Sequence, residues 1–236
     1  MPTIDLAQWR RVFLSGSDAA EWLNDLVSAG IDGESRRSLL LTPTGRIRAD
    51  FHVLPQAEGF LLIQDPVQPK PIEQLLAPYI LSSDATVQAP TDRGPQVATW
   101  WGDTLKEVKT GFPPPMSLEN FDVWRILQGI PRFGMDLDED SLPQEAGWER
   151  FIDFTKGCFM GQEAMAKIRN MGGHPTRVVR ALISDREIAV GEPIVADGVR
   201  AGAVTSAEGM YIIGRVRWDA RDETLRTEGG AALRVR

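Results

Sequence analysis

The stretch TKGCFMGQEAMAKIRNMGG, Thr155 to Gly173, holds the only cysteine of the chain, set between a lysine and a Gly-Gln-Glu step. Its second half has the marks of a helix. Gly161 stands at the start, Glu163 falls in the first turn where the helix dipole favours an acid, and Lys167 and Arg169 fall near the end before Gly172-Gly173. Ala164, Ile168 and Met171 are then the expected buried stripe. On that geometry Cys158 lies just ahead of a helix N-terminus and close in sequence to Lys156, two features that favour a thiolate and make Cys158 a candidate reactive thiol with Lys156 as its partner. The alternative is a small buried hydrophobe between Phe154 and Phe159.

Outward from this stretch the chain is that of a globular protein. It has 236 residues, 42% of them hydrophobic, enough to bury a core. Its 26 Lys+Arg and 33 Asp+Glu give a net charge of −7, which argues against attraction to a phosphate backbone as the main source of binding, so no direct nucleic-acid partner is expected. No apolar run reaches the length of a membrane span, and the opening MPTIDLAQWRRVFLSG lacks signal and transit character, so a cytoplasmic location is expected. One cysteine forbids an intrachain disulfide, and with only His52 and His174 as further soft ligands no resident metal is expected. Most of the tryptophans are expected in the core.

Upstream, SGSDAAEWLNDLVSAGIDG reads as an amphipathic helix with a capping box from Asp18 and Glu21, ending near Gly30. RRSLLLTPTGRIRADFHVL reads as two strands around the turn Thr42-Pro43-Thr44-Gly45, the second with a buried face (Ile47, Ala49, Phe51, Val53) and a charged one. GFLLIQ is a strand, PKPIEQLLAPYIL a helix, and ATVQAP and QVATWWG further strands, before the proline loop TGFPPPMSLEN marks a boundary. NFDVWRILQGIPRFGMDL then carries Val123, Ile126 and Leu127 on one helical face, and DLDEDSLPQEAGWER follows as an acidic loop. From Arg177 onward, short β-rich runs separated by turns suggest a small antiparallel barrel. The expected organisation is α+β, with a first α/β part over residues 1–112, a second α/β segment with the cysteine motif over 113–173, and a C-terminal barrel over 174–236.

TKGCFMGQEA resembles the Lys-Gly-Cys-(Tyr/Phe)-x-Gly-Gln-Glu signature of the YgfZ family of folate-binding proteins, relatives of the glycine-cleavage T-protein, an aminomethyltransferase, at seven defined positions without a gap. LLLTPTGRIRADFHVL, WRILQGIPRFGMDL, LPQEAG and VGEPIVADGVRAGAVTSA are similar to further segments of those families. Two departures stand out: Ser28-Ala29-Gly30 replaces a common Thr-Asn-Asp, and Ala49-Asp50 replaces the paired aspartates of T-protein. The resemblance implies ferredoxin-like α/β modules arranged as a ring with a C-terminal barrel, around a channel that receives tetrahydrofolate. It further implies that the protein is an accessory factor for assembly or repair of iron–sulfur enzymes, tRNA-methylthiolating ones included, with folate and the assembly machinery or client enzymes as partners. Such a ligand asks for an acid or amide at the pterin edge and cations at the glutamate tail; Asp50, Arg125, Gln162 and Glu163 are the candidates, with Arg46 and Arg48 as tail contacts. Two alternatives stay open: a folate-dependent one-carbon transferase acting on a small amine, which a lone Asp50 disfavours, and a folate-binding module without chemistry.

Overall fold

The computed structural model describes residues 1–81, 83–108 and 113–236, so the expected boundary between residues 112 and 113 lies at the edge of residues outside the described ones. Two compact units are formed, each from two pieces of chain: Met1–Leu118 with Glu149–Arg169, and Glu119–Trp148 with Asn170–Arg236.

The first unit is built on two antiparallel sheets. One runs in the order β3-β4-β5-β2-β6 and comprises β2 (Arg10–Ser15), β3 (Arg36–Leu41), β4 (Ile47–Gln56), β5 (Gly59–Gln64) and β6 (Thr86–Gln88); the other, β1-β7-β8, comprises β1 (Thr3–Asp5), β7 (Val97–Trp101) and β8 (Thr104–Glu107). The helices α1 (Ala19–Leu26) and α2 (Ile72–Leu76) bring Trp22, Leu23, Ile72, Leu75 and Leu76 into one core with Ala49, Phe51 and Val53 of β4. Three inward positions at period two on the strand therefore meet the apolar stripes of two helices, the pairing that periodicity predicts.

The opposite face of β4 departs from expectation. Asp50 and His52 are buried, because β8 lies over them: the Leu105 N–H donates to His52 Nδ1 (3.1 Å) and Trp100 packs edge-on to the imidazole at 5.4 Å. Alternation marks which residues share a face, and it cannot tell whether a second sheet covers that face. The capping box is not formed either. Asp18 precedes α1 but its carboxylate accepts from the Asp84 N–H (2.8 Å), and the helix ends at Leu26, short of Gly30.

The second unit contains α3 (Leu118–Gln128), mostly within it, and an antiparallel sheet of order β13-β10-β11-β12-β9-β14, from β9 (Arg177–Ser184), β10 (Pro193–Ala196), β11 (Val199–Glu208), β12 (Tyr211–Arg217), β13 (Leu225–Thr227) and β14 (Leu233–Val235). A bridge between Arg226 and Ala232 joins its two ends, so the sheet is a nearly closed six-strand barrel around Leu182, Ile194, Val204, Ile212 and Val216. On α3 the buried positions are Phe121, Arg125 and Ile126, with Val123 and Leu127 only partly covered. The acidic loop is not wholly irregular, since Pro143–Ala146 forms a 3-10 turn.

Candidate functional site

The cysteine motif is docked against the Thr42–Gly45 turn. The turn closes through the Gly45 N–H to the Thr42 carbonyl (2.8 Å), and Gly45 has φ +81°. A Cβ there would sit 2.2 Å from Met165 Cε. Facing it, Gly161 has φ +84°, and a Cβ would come within 2.6 Å of the Thr42 carbonyl oxygen. Two glycines thus allow a backbone turn and the start of α4 (Gln162–Asn170) to touch, and a side chain at either would force them apart. Met165 is the buried residue of α4, while Met171 is 73% exposed, so the stripe expected from Ala164, Ile168 and Met171 is displaced onto Met165.

Around this junction the structure gathers several of the expected residues. Arg48 donates to the Tyr79 hydroxyl (3.3 Å), which in turn donates to Met160 Sδ (3.6 Å) inside the motif. Gln162 and Glu163 occupy the first turn of α4, Glu163 exposed and Gln162 partly so, and neither side chain has a hydrogen-bond partner among the described residues. Arg46, just ahead of β4, and Arg48 within it are partly buried.

Cys158 is an exposed free thiol, which removes the reading as core filler. Lys156 does not serve it. The ammonium donates to the carbonyls of Asn24, Val27 and Ala29 at the C-terminal end of α1, so all its donors are spent on capping a helix. The Lys156 pKa is pushed down to about 8 by burial, with Asp153 and Asp25 acting in the opposite sense.

Asp50 and Arg125 were expected on polar faces, and both are in the interior. Arg37 grips Asp50 through two parallel bonds, Nε to Oδ1 (2.8 Å) and Nη2 to Oδ2 (2.7 Å), and its guanidinium lies over the Phe151 ring at 4.8 Å. Arg125, in the second unit, is fully buried and donates to Asp122, Ile130, Met135, Asp136 and Ser206, which engages every N–H of the guanidinium. Asp136 also accepts from the Arg132 N–H (2.9 Å) and the Ser206 hydroxyl (2.7 Å). The Arg37–Asp50 pair lies inside the first unit and the Arg125 cluster inside the second.

Sequence reasoning missed Ser28. Its hydroxyl donates to the Phe151 carbonyl (2.8 Å) and accepts from the Leu39 N–H (2.9 Å), tying the end of α1 and β3 to the 151–153 segment. Beside it opens a cavity of about 470 Å³ lined by Arg36, Arg37, Arg150, Phe151, Asp103 and Asp153, among others. Arg150 pairs with Asp103 (2.7 Å), and that hydrogen bond lowers the Asp103 pKa. The signal for Ser28 lay in the departure from Thr-Asn-Asp, but nothing local announced its partner so far along the chain.

Among the described residues no cluster of His, Cys, Asp or Glu could hold a metal ion, and no helix is long and apolar enough to cross a membrane. A folate asks for amide-edge partners and tail cations. Gln162, Glu163, Arg48 and Tyr79 are of that chemistry and lie about one junction, so the residues of the motif region fit, whereas Asp50 and Arg125 are occupied by the protein itself.

No protein-family model matches the chain. It is 36% identical to the aminomethyltransferase of Moorella thermoacetica over 109 residues, 46% of this chain and 30% of that protein. It is 24% identical to the mitochondrial iron–sulfur cluster assembly factor IBA57 homolog of Pyricularia oryzae, over 75% of this chain and 56% of that protein. It is 22% identical to a putative chloroplastic transferase of Arabidopsis thaliana, over 87% of this chain and 61% of the relative. The chain thus spans less than two thirds of the length of each of these relatives. Among solved structures, the glycine cleavage system aminomethyltransferase T from Bartonella henselae matches with a TM-score of 0.76 at 17% identity, covering 98% of this chain and 83% of that one. The chain therefore has the fold of aminomethyltransferase T, and its sequence is similar both to aminomethyltransferases and to an iron–sulfur cluster assembly factor.

Proposed function

We propose that the protein is a tetrahydrofolate-binding accessory factor that supports assembly or repair of iron–sulfur enzymes, tRNA-methylthiolating enzymes among them. The observation that carries this reading is the state of Asp50. A carboxylate whose two oxygens are both held by Arg37 in a buried pair is already engaged by the protein, and a group so placed is poorly suited to proton transfer at a pterin nitrogen. Binding without aminomethyl transfer is what then remains of the T-protein chemistry, and the similarity to the assembly factor over 75% of the chain favours the accessory role. Gln162 and Glu163 are assigned to the pterin edge, and Arg46 and Arg48 to the glutamate tail. Bound tetrahydrofolate would supply a reduced pterin; Cys158, exposed on the motif, is assigned as a redox-sensitive thiol or a transient ligand beside it.

Replacement of Cys158 by Ser separates this reading from its competitors. In cells lacking the protein, the Cys158→Ser variant is expected to fold and bind folate as the parent does, yet leave the activity of iron–sulfur enzymes unrestored. Full restoration would reduce the protein to a binding module, and turnover of an aminomethyl donor with tetrahydrofolate would make it a transferase.

A further inference from the structure

On the second unit, away from the cysteine motif in sequence, lies a pocket of about 400 Å³ whose lining includes Arg177 of β9, Arg200 of β11, and Arg215 and Arg217 of β12, over a floor of Ala203 and Thr205. Strand register explains the convergence. Arg217 stands directly opposite Arg177, and Arg215 stands opposite Ala203, so small residues on β11 keep the floor low between arginines of neighbouring strands. Like charges placed opposite each other on adjacent strands oppose pairing. Here the repulsion is relieved only in part, by the exposed Arg217 pair with Asp219 (3.1 Å).

Arg177 and Arg200 are exposed, and neither side chain has an ion pair or hydrogen bond among the described residues. Arg215 displays what the pocket accepts. It is held by two carboxylates of the protein's own acidic loop, Asp138 (2.6 Å) and Glu145 (2.7 Å). From Arg177 to the C-terminus the basic residues are all arginine and none is lysine, the choice suited to forked, geometrically fixed binding of carboxylates.

We propose that this pocket docks a carboxylate-rich, extended segment of a partner protein, its acidic side chains received by Arg177, Arg200 and Arg217 while Arg215 anchors the wall. A nucleic acid fits less well. The pocket lining offers no aromatic face on which a base would stack. The inference does not depend on the folate reading, since every residue in it belongs to the second unit.

The test uses the full chain and fluorescence anisotropy with a labelled hexaglutamate peptide, a hexaglutamine control and a single-stranded RNA hexamer, at low and physiological salt. The expected result is binding of hexaglutamate alone, weakened by salt and reduced at least tenfold in the Arg177→Gln/Arg200→Gln double variant, whose melting temperature stays that of the parent because both side chains are solvent-exposed. The Arg177→Lys/Arg200→Lys variant keeps the charge and is expected to lose several-fold, less than the glutamine pair. Equal affinity in parent and glutamine variant overturns the proposal, as does RNA binding tighter than the peptide at the same salt. Should the double variant unfold, Ala203→Glu provides the second arm: a carboxylate fixed on the floor occupies the arginines from within, and undiminished hexaglutamate binding by that variant would equally overturn the docking site.

Discussion

At the scale of single residues, Arg37 and Asp50 show how a binding candidate becomes a structural one. Their side chains are 4% and 10% exposed, so removing one partner strands the other's charge in the interior. Asp50→Asn is expected to cost about 3–5 kcal/mol in denaturant unfolding. A double variant with apolar residues at both positions should recover much of that. The pair was within reach of the sequence: once the hairpin around Thr42–Gly45 is aligned, Arg37 faces His52 and Leu39 faces Asp50, so Arg37 is the diagonal neighbour of the acid on one face. The cover over that face was not legible, because β8 is a four-residue strand with little pattern of its own.

The same cover gives His52 a part in the pH dependence of stability. Burial, reinforced by the positive charge of Arg37, holds its pKa well below the ordinary 6.5, and Nδ1 accepts from Leu105 N–H, so the folded state keeps it neutral. The unfolded chain takes up a proton as pH falls through about 6.5 and the folded chain does not, so this contribution to stability is whole above that pH and declines below it. Unfolding free energy measured from pH 7.5 to 5.5 should fall in the parent, and fall less in His52→Asn. Parallel profiles would mean that His52 charges in the folded state.

At the scale of elements, α1 has no local stop signal at its end, and the structure gives the reason. Its last carbonyls are capped by Lys156, a residue that returns from the far side of the chain. Lys156→Met leaves those acceptors unpaired and should cost about 1–3 kcal/mol. Faster amide exchange across Ala19–Leu26, with the barrel strands unchanged, would distinguish the lost cap from general destabilisation. Elements with a strong pattern were readable: the TPTG hairpin, α4 with its acidic start and basic end, and the longer strands of the barrel, β9, β11 and β12. Short ones such as β1, β8 and β13 were not, since three or four residues hold too little periodicity to rise above loop composition. Non-local caps and pairs have no local sequence trace at all.

For the whole molecule, the resemblance carried by the cysteine motif pointed to the aminomethyltransferase T fold where composition said only globular, and in the structure the motif docks with Gly161 on the Thr42 carbonyl and Gly45 on Met165. The discontinuous make-up of the two units escaped linear reading: residues 149–169 rejoin the first unit after the chain has begun the second, with no change of composition to mark the return. Calorimetry with tetrahydrofolate decides whether the protein binds reduced folate through the motif region, as proposed. Saturable binding is expected, with a melting temperature that rises with the logarithm of ligand excess, weaker binding of folic acid, and loss of affinity in Gln162→Ala and Arg48→Ala without loss of fold. No heat and no thermal shift at millimolar tetrahydrofolate would contradict it.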